Sequence, residues 1–365
     1  MIPTRPGSPS PVPRAPIPGE VVRAGYFDAA HRATRSALSR GEQRCTLRVA
    51  GQGITLRFPT SSIADAFLPA LAHLVVPEDG PDDAPCICAW DSRSTGISMP
   101  AGPWRPGDYL SRGDLRGWDT DVRAAYNLGP GTLSLFDPAR NTGIFWMRDF
   151  ASLPSWDRAA PFRTILGWFL RTRRIELLHA GAVGHPSGGV LLAGRGGRGK
   201  STVCLSAMAL GDLRYAGDDY VAIASDPGPQ VWSVYNSGKL EWSHAQARLP
   251  ELAALADRVS GDQQDKGTLF VHRHFPERVA TGFPIRAVLL PEVGMAQQSA
   301  LEPIPPLAVV QEMLSTTMSQ LPGTDAGTFR TLTTLVRAVP CYRLAVGADL
   351  GASVAAIREL LARIP

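Results

Sequence analysis

Several features are missing from this chain of 365 residues, and each absence excludes something. No run of 18 apolar residues exists, so no segment is built to cross a bilayer as a helix. The cysteines are few and odd in number (Cys45, Cys86, Cys88, Cys204, Cys341), and no C-x-x-C spacing occurs among them. A disulfide framework and a zinc ribbon are therefore not expected. Cys86-Ile87-Cys88 has the look of a metal half-site but lacks a second cluster, so alternation along a strand, or exposed loop thiols, accounts for it better. Dense Lys/Arg runs are absent too: 37 basic against 33 acidic residues leave a net charge of +4 spread along the chain. That excludes a nucleic-acid stripe. No secretory apolar region opens the sequence, which makes a reducing, cytoplasmic setting without membrane partners the expectation.

What is present reads as globular protein, 44% hydrophobic and 19% charged. The length suits two structured parts, or one large domain with a smaller one attached. Residues 1–20 carry seven prolines, which can form neither a ladder nor a helix, so a flexible tail is expected there. Residues 21–155 read as a β-rich domain. Cys45–Val49 and Ile54–Phe58 alternate around Ala50-Gly51-Gln52-Gly53 as a hairpin, and Gly131–Asp137 with Thr142–Met147 read as a second pair. Between them, Ser62 to Val76 reads as a helix interrupted at Pro69 and then a strand. The tryptophans and other aromatics here read as core packing.

Residues 156–365 form the second expected domain. A helix starting at Pro161 presents Phe162, Ile165, Leu166 and Phe169 on one face, with Arg171, Arg173 and Arg174 at its C-terminal dipole end. Ile175–Val183 reads as one strand that turns at Gly184–Gly189 and returns as Val190–Ala193. It runs straight into Gly194-Arg195-Gly196-Gly197-Arg198-Gly199-Lys200-Ser201. This is the G-x-x-x-x-G-K-[ST] loop with a strand before it and a helix after it, in which Val203, Ala207 and Leu210 recur until Gly211. Glycines let backbone N–H groups curl around a phosphate, the lysine adds charge, and the Ser201 hydroxyl suits Mg²⁺. ATP and Mg²⁺ are thus the expected ligands, with Gly194 to Ser201 and Thr202 around the phosphates. An antiparallel hairpin feeding such a loop departs from the usual parallel nucleotide-binding sheet.

Leu213–Ile223 then reads as strand, acidic pair, strand, with Asp218-Asp219 between apolar runs. Such carboxylates need a positive partner, and Mg²⁺ on the phosphates supplies one. One aspartate would support the metal while the other accepts a proton from an attacking hydroxyl.

Taken together, His179-Ala180-Gly181, the hairpin, Gly194 to Ser201 and Gly217-Asp218-Asp219 resemble the catalytic domain of HPr serine kinase/phosphorylase, whose core is shared with ATP-dependent phosphoenolpyruvate carboxykinase. The similarity covers residues 175–225, and stand-alone HPr-kinase-like bacterial proteins, some of them peptide-modifying, resemble the chain most. The resemblance implies an α/β fold, an HPr-kinase/phosphoenolpyruvate-carboxykinase-like P-loop domain beside an N-terminal β-rich α+β domain. It implies Lys200 as the phosphate-binding lysine, Ser201 and Asp218 as metal-supporting residues, Asp219 as proton acceptor and His179 as the active-site histidine. The implied reaction moves the γ-phosphoryl group of ATP to a hydroxyl, serine of a peptide or protein, in a protein that tends to form homo-oligomers. Two departures separate the chain from the family: Thr202 stands where an acidic residue follows the loop serine, and no E-x-R-G-x-G element occurs. HPr itself as acceptor, and phosphorolysis, are therefore not implied. A small-molecule kinase and a non-catalytic ATP-binding or sensing protein stay open.

Further along, Val234–Leu240 places Lys239 in a turn after a strand, where it would neutralise the transferring phosphate. Lys266 and Arg286 are lesser candidates for that charge, and Arg195 and Arg198 lie inside the loop. His272-Arg273-His274 reads as surface strand. Pro305–Leu321 reads as helix, Tyr342–Val346 as strand, and Val354, Ile357, Leu361 and Ile364 as the apolar face of a closing helix.

Overall fold

The computed structural model describes residues 19–77, 80, 84–110, 112–258, 266–293 and 299–364. The proline-rich stretch 1–18 lies outside the described residues. Among the described residues no helix is long and apolar enough to cross a membrane.

The chain is a mixed α/β protein built on several sheets. It opens with a helix that the β-rich reading did not anticipate, α1 (Glu20–Leu38). Half of its buried face is small, Ala30, Thr34 and Ala37 beside Tyr26, Phe27 and Leu38, so its apolar periodicity is faint in sequence. Strands β1 (Gln43–Val49) and β2 (Gln52–Phe58) form the expected hairpin, with Ala50 and Gly51 both at positive φ in its two-residue turn. Helix α2 (Ser61–Leu71) runs through Pro69 instead of stopping at it. The chain tightens into a 3₁₀ turn at Ala72–Leu74 just beyond, and the nearby carbonyls of Pro69 and Ala70 accept hydrogen bonds from Asn236. Next come β3 (Val75–Val76), β4 (Cys86–Asp91), the short α3 (Ser92–Thr95), β5 (Asp114–Asp119), β6 (Arg123–Asn127), β7 (Thr132–Asp137) and β8 (Thr142–Met147). These eight strands make one sheet in the order β3-β1-β2-β4-β8-β7-β6-β5. Cys86 and Cys88 both lie on β4. On one face α1 packs with Trp90, Trp118 and Ile144, where the Trp90 indole N–H donates to the Thr34 hydroxyl at 2.9 Å.

The other face of that sheet shares a continuous core with the C-terminal part of the chain. Phe58, Phe67 and Phe145 meet Phe162, and the same core reaches Tyr220, Val234 and Tyr235. After the short α4 (Ser155–Ala159), helix α5 (Arg163–Arg171) contributes Ile165, Leu166 and Phe169 to it. The basic cluster after α5 has two structural roles. Arg171 pairs with buried Glu176, and Arg173 lies over the Phe169 ring while donating to its carbonyl.

The expected single strand at 175–183 is two: β9 (Glu176–Leu178) pairs with Val221–Ala224, whereas β10 (Gly181–His185) pairs with Gly188–Leu192 and Arg214–Gly217. The break falls at His179-Ala180, because β10 must run close to the acidic pair. A Cβ at Gly181 would stand 2.6 Å from the Cys204 sulfur and 3.2 Å from the Asp218 Cα. The second sheet comprises β11 (Gly188–Leu192), β12 (Arg214–Gly217), β13 (Val221–Ala224), β14 (Gln230–Ser233), β18 (Gly282–Val293), β19 (Ala300–Pro303) and β20 (Cys341–Val346) together with β9 and β10. The hairpin β10–β11 is antiparallel, while β11–β18 and β18–β20 are parallel. A small third sheet contains β15 (Ser237–Glu241), β16 (Asp257–Arg258) and β17 (Lys266–Phe270). Helices α6 (Lys200–Leu210), α7 (Trp242–Arg248), α8 (Pro250–Leu255) and α12 (Leu350–Arg363) pack with one face of the second sheet. On the other lie α10 (Pro306–Gln320) and α11 (Ala326–Ala338).

Candidate phosphate-binding site

Strand β11 ends at Leu192, Ala193 still bonds to the Leu289 carbonyl at 2.9 Å, and the chain then leaves the sheet as a loop. Gly194, Gly197 and Gly199 take φ values of +133°, +78° and +95°. A side chain would strain that backbone, so the motif's glycines are a requirement of its curl. The loop delivers the chain into α6, whose first residue is Lys200. The Lys200 side chain is buried, and its ammonium donates to the carbonyls of Gly194 at 2.7 Å and Arg195 at 3.3 Å. Burial pushes its pKa down, against the pull of Asp219 and Asp218.

Arg195 and Arg198 point away from the curl. They pair with Glu312 and Glu292 at 3.4 and 3.3 Å and are 65% and 45% exposed. Gly196, Gly197, Gly199, Lys200, Ser201 and Thr202 line a cleft of about 270 Å³, which His179, Asp218, Asp219 and Lys239 also face.

The two aspartates between β12 and β13 differ sharply. Asp218 is 1% exposed. Its Oδ2 accepts the Lys239 backbone N–H at 2.8 Å, while its Oδ1 is buried with no hydrogen-bond partner. Burial, reinforced by the Asp219 charge, raises its pKa to about 6, with the neighbouring Ser201 hydroxyl easing the shift. Asp219 accepts from the His179 Nε2 at 3.1 Å and from the Lys239 ammonium at 2.5 Å. Burial would raise Asp219 as well, yet the Lys239 charge and the His179 hydrogen bond outweigh it and hold the carboxyl well below the usual range. His179 is 3% exposed, and burial lowers its pKa against the pull of Asp219.

An orphaned, fully buried carboxylate oxygen beside the loop serine is the arrangement a hard cation satisfies. Mg²⁺ takes one or two protein oxygens and completes its shell with phosphates and water, so Asp218 and Ser201 fit it. Among the described residues no group of three or more His, Cys, Asp or Glu side chains could hold a metal without such help.

No family model matches the chain, and no curated protein does either. Among solved structures, the Hpr(Ser) kinase/phosphatase from Coxiella burnetii is similar over 52% of this chain and 97% of its own, at 12% identity and a TM-score of 0.28. A likeness that weak bears on neither the reaction nor the acceptor.

Several expected candidates sit elsewhere or differently. Lys239 lies within strand β15, opposite Thr268, and the pairing of that strand with β17 is what aims it at Asp219. Lys266 begins β17 and lines the cleft. Arg286 is remote: it donates to the Ser187 carbonyl beside the start of β11, at the end of that strand away from the loop. His272 and His274 stand in a short helix, α9 (Val271–His274), instead of a surface strand. The cause is that the backbone N–H groups of Val271 and His272 bond to Asn236, which bends the chain out of β17.

One participant escaped the sequence. Gln320, the last residue of α10, places its amide nitrogen 3.2 Å from the His179 Nδ1 and accepts from the Tyr220 hydroxyl at 2.6 Å. No motif marks it, and 141 positions separate it from His179.

Proposed function

We propose that this protein transfers the γ-phosphoryl group of ATP to a hydroxyl, with serine of a peptide or protein as the acceptor. The observation that carries the reading is the pairing of Asp219 with Lys239 and His179 in the same cleft as Lys200 and Ser201. Its sequence counterpart is the resemblance of residues 175–225 to HPr-kinase-like catalytic domains.

In this reading the ATP phosphates lie on the loop amides and the N-terminus of α6. Lys200 exchanges its two carbonyl partners for phosphate oxygens. Ser201 and Asp218 would hold Mg²⁺, which would neutralise phosphate charge. The acceptor oxygen forms its bond to the γ-phosphorus as the bond from that phosphorus to the bridging oxygen breaks. The electron pair of the broken bond leaves with ADP, and the hydroxyl proton passes to Asp219. With Lys239 on it Asp219 is a weak base, which phosphoryl transfer tolerates because it is loose and needs a well-placed acceptor more than a strong one. Lys239 then has two claimants, Asp219 and the transferring group. As it turns to the phosphate, Asp219 regains basicity when it is needed.

The test uses purified full-length protein, labelled ATP, and separate arms of serine-containing peptides and metabolite pools. Acceptor-dependent ADP release in the wild type, lost in Asp219→Asn with ATP affinity kept, is the expected result. Full transfer by Asp219→Asn would overturn the mechanism. Transfer confined to metabolites would make the protein a small-molecule kinase, and tight ATP binding with no acceptor-dependent turnover would make it a sensor.

A further inference from the structure

We propose that Lys266 is a phosphate-binding residue that joins Lys200 and Lys239 in holding the triphosphate of the bound nucleotide. This rests on the reading of the cleft as an ATP site and adds a third ammonium to it.

The chain has 34 arginines and only three lysines, Lys200, Lys239 and Lys266. Where a cation serves the fold, it is arginine. Arg57 grips Glu42 through two nitrogens at 2.6 and 3.0 Å, and Arg173 covers the Phe169 ring. Both uses draw on the planar guanidinium. Exposed cations are arginine as well, including Arg93 and Arg363 at 78% and 76%. Neither burial nor exposure therefore calls for lysine in this chain. All three lysines nevertheless line the cleft that holds the phosphate loop. Arg248 is the one arginine among the described residues that lines it with them. Chance placement among 37 basic positions would rarely gather every lysine at one cleft. The common demand there is for a compact, flexible ammonium, and a chain of phosphate oxygens is what makes it.

Sheet geometry brings Lys266 to the same side as Lys239. On the β15–β17 pair, Lys239 stands opposite Thr268 and Lys266 opposite Glu241. Opposed residues of an antiparallel pair share a face, as do residues two apart on one strand. Lys239 and Lys266 are diagonal neighbours on that face, with Cα atoms about 7–8 Å apart. The face is the cleft side, because the Lys239 ammonium reaches Asp219 at 2.5 Å.

The charges of the lining favour an anion. Lys200, Lys239, Lys266 and Arg248 meet only Asp218, Asp219 and Glu241 among the acidic side chains that line the cleft. Lys239 is taken up by Asp219 in the nucleotide-free protein, and the Lys200 ammonium rests on loop carbonyls. Lys266, exposed at the start of β17, adds charge for the phosphates while Lys239 stays on Asp219. An anionic group on the acceptor has the same chemistry, and the experiment separates the two sources.

Full-length protein carrying ¹³Cε-lysine shows three side-chain NMR signals, assigned with Lys239→Arg and Lys266→Arg. ATP with Mg²⁺ is titrated in without acceptor, and affinities are read by calorimetry. The Lys266 signal should move as ATP saturates. Lys266→Met should weaken ATP binding about tenfold or more, the usual loss for a charge-assisted hydrogen bond. Its thermal melt without nucleotide should match the wild type, since the side chain is exposed. Lys266→Arg keeps the charge without the compact head and should fall between the two. Arg286→Lys, remote from the cleft, should bind ATP as the wild type does. A Lys266 signal unmoved at saturation, or wild-type affinity in Lys266→Met, would overturn the proposal. So would a loss confined to the KM of the acceptor, which would place the anion there. ATP binding that moves the Lys266 signal in a protein that transfers no phosphate would sink the kinase reading and leave the Lys266 assignment standing.

Discussion

The buried aspartates of the two large sheets invite comparison. In the first sheet, Asp91 is fully buried at the end of β4 and Asp137 nearly so at the end of β7. Asp91 caps α3 through the Ser94 N–H at 3.1 Å, with the Ser94 hydroxyl and the Phe150 N–H adding to it. Asp137 accepts from the N–H groups of Ala139 and Arg140, closing the turn to β8. The partners of both are mostly their immediate neighbours, and both carboxylates complete local folds. Asp218 and Asp219 terminate a strand in the same way but bond to residues 20 to 40 positions distant, and one oxygen stays unpaired. Burial alone therefore does not mark a site; the origin of the partners does.

Exchanging the two kinds of aspartate tests that contrast most severely. Asp219→Asn should reduce acceptor-dependent ADP release by about 10²- to 10⁴-fold, the range for losing a positioned proton acceptor, and Asp137→Asn should leave it within about twofold. Equal losses would erase the distinction.

The seam between the two regions gives the next largest effect. His73, just after α2, holds the Ser233 hydroxyl at 2.7 Å, and burial, aided by His272, lowers its pKa from 6.5 to about 3. The unfolded chain binds the proton at a higher pH than the folded one, so this term is fully present above pH 6.5 and is lost as pH falls toward 3. The slope is roughly 1.4 kcal/mol per pH unit. Denaturant midpoints of wild type minus His73→Gln across that window isolate it, because the Asp218 contribution, of opposite sign, cancels in the difference.

Asp218 itself should show a smaller effect. Its carboxyl titrates near 6 when folded and near 3.8 when unfolded, so its charge works against folding at neutral pH by up to about 3 kcal/mol. Asp218→Asn is expected to raise the Tm of the nucleotide-free protein while weakening Mg²⁺-dependent ATP binding in calorimetry. A lowered Tm would assign Asp218 to structure, as with Asp91. Asp91→Ala, last, should cost about 1–2 kcal/mol in chemical denaturation, as lost caps do, with kinetics unchanged.

How much of the molecule was legible in the sequence depends on contact range. The β1–β2 and β10–β11 hairpins, the phosphate loop with α6, and the acidic pair between strands were readable because each lies within a few consecutive residues. Helix α1 was not, since half of its buried face is alanine and threonine. The break at His179 was invisible because its cause, the close approach of Gly181 to Cys204 and Asp218, is tertiary. Lys239 was picked out as a charge but misplaced in a turn, because β15 gains its strand character from pairing with β17.

The sequence by itself determined the phosphate loop, the hairpin that feeds it and the carboxylates that answer it. Positive-φ glycines, strand alternation and a motif of fixed spacing act over short distances. Tertiary structure decided everything that depends on which side chains meet. It set Lys239 and His179 on opposite oxygens of Asp219, left one oxygen of Asp218 bare and brought Gln320 to the ring of His179. Those relations come from sheet order and from dehydration within a shared core, which no local stretch of chain encodes.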